Sequence, residues 1–338
     1  RNDVAMLYHT APDAPILSVK GKAFDYAMLA SEGDAMTISD FPAVKMDLDV
    51  DSLYLPKDQV MQKVKGTINC GRVRCESANL AAAFAKGGDM TLKIYREGAT
   101  RKFLMQSNNA GSLLQTFDIT DRMFEGSLDL SGAYDDSKQG NPLDGRLVLT
   151  DYVLKDAPIL GRILNLSSLS GLVESLSGSG IRFEKMGADF VFAKDVANIK
   201  HAKATGPSLG LLGKGEIDIK QSKIDIDGSM APAYAINSVV SKIPLIGEAL
   251  VGGEGEGVFA FSYSVKGNIN EPDVTVNPLS LLTPGFMRKF FDIFDAPESA
   301  KPALKAVERR DINAAPKPKE IMPPIVAPIA KPAMKPAN

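Results

Sequence analysis

The sequence predicts a mainly β protein built on an antiparallel sheet, and three observations carry that expectation. Apolar and polar residues alternate with a two-residue period in segment after segment, which puts one set on each face of a strand. The segments are short, and Gly87-Gly88, Gly132, Gly140-Asn141-Pro142, Gly228 and Gly267-Asn268 punctuate them, as hairpin turns do and crossover helices do not. The 338 residues are 44% hydrophobic, yet only 7% aromatic and without Trp. Ala, Leu, Ile, Val and Met supply packing surface enough for a large core.

The first clear strand is 44–51, where Val44, Met46, Leu48 and Val50 oppose Lys45, Asp47, Asp49 and Asp51. Alternation returns with Met90, Leu92 and Ile94, and with Leu147 and Leu149, where both faces read as partly covered. Residues 158–177 change period. Leu160, Ile163, Leu164, Leu169, Leu172, Val173 and Leu176 recur at helical spacing, with Pro158 set for a first turn. Strand alternation resumes with Ile217 and Ile219, then Ile224 and Ile226, with Gln221-Ser222 as either a turn or a crossing point. Residues 234–251 read as a second helical stretch, kinked or divided by Pro244. It echoes the first, Pro158-Ile159-Leu160-Gly161 against Pro244-Leu245-Ile246-Gly247. Phe259, Phe261, Tyr263 and Val265 then give the cleanest aromatic strand.

From Ala296 the character changes to nine prolines and eight Lys or Arg against four Asp or Glu. Such a segment buries too little surface to fold, so residues 1–295 form the folded region and 296–338 a Pro-rich disordered tail. Cys70 and Cys75 are the only cysteines. They can bridge if 71–74 is a hairpin turn; in one continuous strand their Cα atoms sit about 16 Å apart and cannot. No run of about 20 apolar residues occurs, so this segment does not span a bilayer as a helix.

Catalytic and cofactor patterns fail one by one. His9 and His201 stand in no ligand spacing, and Ser177-Gly178-Ser179-Gly180 is no nucleophile elbow. Gly213-Lys214-Gly215 lacks the rest of a phosphate loop and reads as a turn. The carboxylates of the 252–257 glycine loop would repel a pyrophosphate. Asp47, Asp49, Asp51 and Asp58 have calcium-loop spacing, but Ser52 replaces the required Gly, and Leu48 and Val50 demand a strand. The expectation is a non-enzyme with neither metal nor cofactor. With net charge −2 and no basic aromatic stripe, nucleic acid is not an expected partner.

What remains is the apolar pattern, and here the chain resembles a known family. The phrases that carry it are Ser107-Asn108-Asn109-Ala110-Gly111-Ser112, Asp151-Tyr152-Val153-Leu154-Lys155-Asp156-Ala157-Pro158, Gly178-Ser179-Gly180-Ile181-Arg182-Phe183, Gly228-Ser229-Met230-Ala231-Pro232 and Asn277-Pro278-Leu279-Ser280-Leu281-Leu282-Thr283-Pro284-Gly285-Phe286. On these, residues 107–294 are similar to the AsmA-like C-terminal region of YhdP/TamB-type bacterial envelope proteins. The resemblance implies a curved antiparallel sheet forming an open groove, with short amphipathic helices near the C-terminal end. It implies a periplasmic protein held to the inner membrane by a segment upstream of this chain, with phospholipid acyl chains and the membrane surface as partners. Other envelope proteins are further possible partners, and the alternative role is a scaffold for outer-membrane protein assembly.

The expected groove lining is Val44, Met46, Leu48, Val50, Ile217, Ile219, Ile224, Ile226, Phe259, Phe261, Tyr263 and Val265, because alternate residues share a face. Pro158, Gly161, Pro244 and Gly247 are expected to gate or cap it. After Pro284-Gly285, a short helix carrying Phe286, Arg288, Lys289, Phe290 and Phe291 is the expected membrane contact.

Overall fold

The computed structural model describes residues 2–9, 15–26, 44–71, 74–232 and 260–279. They form fifteen strands: β1 (Asp3–His9), β2 (Ile16–Asp25), β3 (Val44–Tyr54), β4 (Val60–Cys70), β5 (Cys75–Phe84), β6 (Asp89–Glu97), β7 (Thr100–Ser107), β8 (Met123–Tyr134), β9 (Leu143–Leu154), β10 (Ile181–Ala193), β11 (Val196–Thr205), β12 (Leu209–Asp218), β13 (Lys223–Pro232), β14 (Ala260–Asn268) and β15 (Glu271–Leu279). All belong to one open sheet whose spatial order is the sequence order. Neighbours pair antiparallel throughout except β2 and β3, which are parallel. The expected antiparallel sheet is thus present, with this one parallel pair as a departure from it. The segment between Asp25 and Val44 is long enough to carry the chain back and start again in the same direction.

Alternating directions give the sheet two rims. One carries the tight β4–β5, β6–β7, β8–β9, β10–β11, β12–β13 and β14–β15 turns, and is called the hairpin rim below. At the first of these turns Cys70 pairs with Cys75 and the two form a disulfide, which settles the cysteine alternatives in favour of the hairpin. The opposite, helix rim carries α1 (Ala110–Thr116) between β7 and β8, and α2 (Pro158–Leu166) with α3 (Ser170–Ser177) between β9 and β10. These three described helices lie mid-chain, and the helical stretches expected nearer the C-terminal end, 234–251 and the one after Pro284-Gly285, lie outside the described residues. Asn109 caps α1 by accepting from the Ser112 amide at 2.9 Å. The stretch 158–177 is two helices, not one. Ser167 turns its hydroxyl back to the Ile163 carbonyl, and Ser168 adopts φ +59°, which ends α2.

Curvature follows from where α2 reaches. Its Arg162 Nη1 donates to the Pro272 carbonyl of β15 at 2.8 Å. Along a flat sheet β10 and β15 stand five spacings apart, about 24 Å, and a nine-residue helix is only about 14 Å long. The sheet therefore curls toward the helix pair. Leu160, Ile163 and Leu164 are buried in one cluster with Val265, against which Val274 and Val276 pack. Backbone kinks assist the bend: a Cβ on Gly66 (φ +143°) would lie 1.9 Å from the Asn79 carbonyl oxygen, and one on Gly215 (φ +141°) 2.0 Å from that of Asp225. Only glycine fits either position.

Candidate functional site: an apolar floor across fifteen strands

The strand registers build the site. Leu80 stands opposite Leu92, Leu92 opposite Met105, Met105 opposite Leu130, and Leu130 opposite Leu147. The row continues through Ala188, Ala202, Gly213, Gly228, Tyr263 and Val276. In the other direction it passes from Leu80 through Gly66, Leu48 and Val19 to Met6. One register-matched line thus crosses every strand with no polar residue except the Tyr263 hydroxyl. Fourteen spacings make it about 67 Å long. Residues two places to either side extend the same face: Val50, Val64, Met90, Leu128, Leu149 and Met230 toward the helix rim, Ile94, Phe103 and Phe190 toward the hairpin rim.

Burial varies across this floor in a regular way. On β5 to β9 the central Leu80, Leu92, Met105, Leu130 and Leu147 are half-exposed, while their helix-rim neighbours Ala82, Met90, Leu128 and Leu149 are buried. The middle of the floor is the part left open. The opposite face is mostly polar, and Lys20–Asp47, Lys65–Asp49, Arg146–Asp189 and Lys266–Asp225 pair across its strands. Exposed pairs like these contribute little each, but they keep that face wet and fix the register.

Side-chain size changes along the row. Leu and Met fill β5 to β9, and Ala or Gly stands on β10 to β13. There Tyr263 lies over the gap, with its ring where a Gly228 Cβ would be, 2.4 Å from Cζ. Its hydroxyl donates to the Leu212 carbonyl at 2.6 Å, and burial pushes that hydroxyl up to about 12. Phe190 covers Gly145 in the same manner. Tyr152 stacks on Phe183 at 5.3 Å between ring centres in the buried cluster beneath α2 and α3, and burial raises its hydroxyl too.

Several expected lining residues stand on this floor. Leu48, Val50 and Val265 are buried, and Met46, Ile217, Ile224, Ile226, Phe261 and Tyr263 are half-buried on the apolar face. Ile219 does not join them. β12 ends at Asp218, which accepts from the Gln221 amide, and Ile219 stands 55% exposed in the turn. Val44 pairs with Cys70 on β3, and Phe259 lies outside the described residues. Pro158 opens α2 as its first residue. A methyl on Gly161 would meet Leu176 at an ordinary 3.6 Å, so α2 and α3 are not in glycine-dependent contact. Pro244, Gly247, Phe286, Arg288, Lys289, Phe290 and Phe291 fall outside the described residues.

Gly213-Lys214-Gly215 is not a turn but mid-strand β12, where its glycines make room for the Tyr263 ring and a backbone kink. Asp47, Asp49 and Asp51 alternate with buried Leu48 and Val50 on β3. His201 on β11 places Nε2 2.9 Å from Asp189. Among the described residues no group of three or more His, Cys, Asp or Glu is placed to hold a metal ion. No described helix is long and apolar enough to cross a membrane. The alternation on β6 and β9 is legible in sequence, but the expected lining leaves out β5 to β9. These strands carry apolar residues on both faces, as with Leu104 and Val148, so alternation alone does not say which set lines the floor, and cross-strand register does.

A curled open sheet with one continuous apolar face and one ion-paired face defines the chain as a β-groove protein. The model of the YhdP protein family matches residues 43–274, and the chain belongs to that family, as a YhdP/AsmA-like envelope-protein region. No curated relative and no solved structure matches the chain.

Proposed function

We propose that this chain is a non-enzymatic lipid-transfer segment, carrying phospholipid acyl chains along its floor within the periplasm in support of the outer membrane. The observation that carries the reading is the single unbroken apolar row from Met6 to Val276, half-exposed at its centre. Each methylene exposed to water costs about 0.8 kcal/mol, so a 16-carbon chain faces about 12 kcal/mol crossing an aqueous gap. A trough that shields even half of that surface removes about 6 kcal/mol, a large effect on any transfer rate.

The α2–α3 pair supports a capping role, because it lies on the same apolar cluster at the helix rim and reaches β15. The membrane surface is the proposed partner of the segment following β15, and the chain's site of action is the periplasm, attached to the inner membrane through further sequence. Native mass spectrometry of protein purified without detergent tests the reading. Phospholipid-sized adducts are expected, exchanging for labelled phospholipid when vesicles are added. Protein that neither carries lipid nor takes it up from phosphatidylethanolamine and phosphatidylglycerol vesicles refutes it.

A further inference from the structure

On the floor face, the hairpin rim between β5 and β9 ends in charge rather than in more hydrocarbon. Two-residue alternation continues Leu80 and Ala78 to Glu76, Leu92 and Ile94 to Arg96, Met105 and Phe103 to Arg101, and Leu130 and Gly132 to Tyr134. Asp136 follows in the β8–β9 turn. Arg101, 2% exposed, is fully committed: Nε and Nη2 donate to Asp136, Nη1 donates to the Cys75 carbonyl at 3.0 Å, and its guanidinium stacks 3.7 Å over Tyr134.

Arg74 and Arg96 are placed differently. Their side chains are 32% and 42% exposed, and both donate to the one carboxylate of Glu76, at 2.6 and 2.7 Å. Asp136, already held by Arg101, lies farther off at 3.4 and 3.5 Å. Three guanidiniums against two carboxylates leave a net positive charge, and Arg74 and Arg96 each carry five N–H donors, more than Glu76, Asp136 and the Ala99 carbonyl, which accepts from Arg96 at 3.3 Å, take up. Both arginines raise the cost of protonating Glu76, whose carboxyl they hold below its usual range, so the acid stays charged and the cluster stays fixed.

We propose that Arg74 and Arg96 bind the phosphodiester of a phospholipid headgroup at this rim. The proposal rests on the groove reading and adds where the polar end goes. Four residues, about 13 Å, separate Arg96 from Leu92 and Arg101 from Met105, so chains seated on the open centre of the floor bring the glycerol phosphate to the charged rim. Guanidinium suits this role because its planar fork matches a phosphate oxygen pair, and partial burial strengthens the contact.

The test compares the wild-type chain with Arg74→Gln/Arg96→Gln, loaded from vesicles containing equal phosphatidylglycerol and diacylglycerol and analysed by mass spectrometry. Wild type is expected to retain phospholipid over diacylglycerol by about tenfold, and the double variant to fall toward parity with its diacylglycerol content unchanged. Arg74→Lys/Arg96→Lys keeps the charge but loses the fork, and its preference should fall in between; it also serves if the glutamine variant fails to fold. Preference unchanged in a folded glutamine variant overturns the headgroup site while leaving the groove intact. Loss of diacylglycerol and phospholipid together, or absence of both from wild type, counts against the groove itself. Inorganic phosphate alone should not bind measurably; phosphate binding that depends on these arginines, with lipid preference unaffected, would overturn the lipid assignment in favour of a soluble anion.

Discussion

Replacing Leu130 by Asp should empty the groove, whereas replacing its neighbour Ser131 by Asp should not. The two residues are adjacent on β8 but face opposite ways. Leu130 stands in register between Met105 and Leu147 on the open centre of the floor, and Ser131 between Leu104 and Arg146 on the polar face. An extended acyl chain lays roughly four methylenes over one strand spacing. At about 0.8 kcal/mol each, and with half their surface shielded, losing that step costs about 1.6 kcal/mol, or roughly tenfold in lipid retained. The carboxylate's own dehydration adds to this when a chain lies over it. Retained lipid would be counted by mass spectrometry after vesicle exposure, with circular dichroism confirming the fold. If both variants lose lipid equally, or a folded Leu130→Asp protein keeps all of it, the floor is not where chains lie.

Two further outcomes follow from particular contacts. Gly228→Ala puts a methyl where the Tyr263 ring lies and should cost about 2–4 kcal/mol in denaturant unfolding, through overpacking and the lost bond to the Leu212 carbonyl. Spectrophotometric titration should then show one tyrosine falling from about 12 toward the ordinary value near 10; an unchanged titration would mean the ring never moved. Asp136→Asn should destabilise the neutral-pH protein by about 3 kcal/mol, since Arg101 stays buried without its counter-charge. Arg101 holds the Asp136 carboxyl below its usual range, so its stabilisation is present above the ordinary carboxylate value and is lost as pH falls through the depressed one. Urea midpoints measured down that acid range should fall less steeply in the variant than in wild type.

The sequence made the one-sided strands legible because one face of each is charged. β3 declares itself through Asp47, Asp49 and Asp51, and β14 through Ser262, Ser264 and Lys266. The strands that lack this contrast were harder. β5 runs Leu80-Ala81-Ala82-Ala83, which fits either face of a sheet or a helix, and its identity comes from pairing with β4 and β6. Register is a property of two strands, so the floor's continuity could not be read from either alone. Ile219 shows the opposite error: alternation extended one residue past the point where Asp218 turns the chain. The rim charges Glu76, Arg96, Arg101 and Asp136 are scattered over sixty positions of sequence, and nothing in their spacing brings them together before the hairpins stack.

Because each strand pairs only with its neighbours in sequence, folding this sheet needs few long loops to close. It resembles a repeat array, in which stability is mostly a sum of adjacent interfaces and opening can spread from either end. The Arg162 contact to Pro272 reaches far beyond a neighbouring strand, joining positions 110 residues apart. It ties the β9–β10 connection to the last strand, so the six strands β10 to β15 are bound into one cooperative block. Hydrogen exchange should therefore report a shared opening energy across β10 to β15 and a graded one toward β1, with Arg162→Ala dissolving the first into the second.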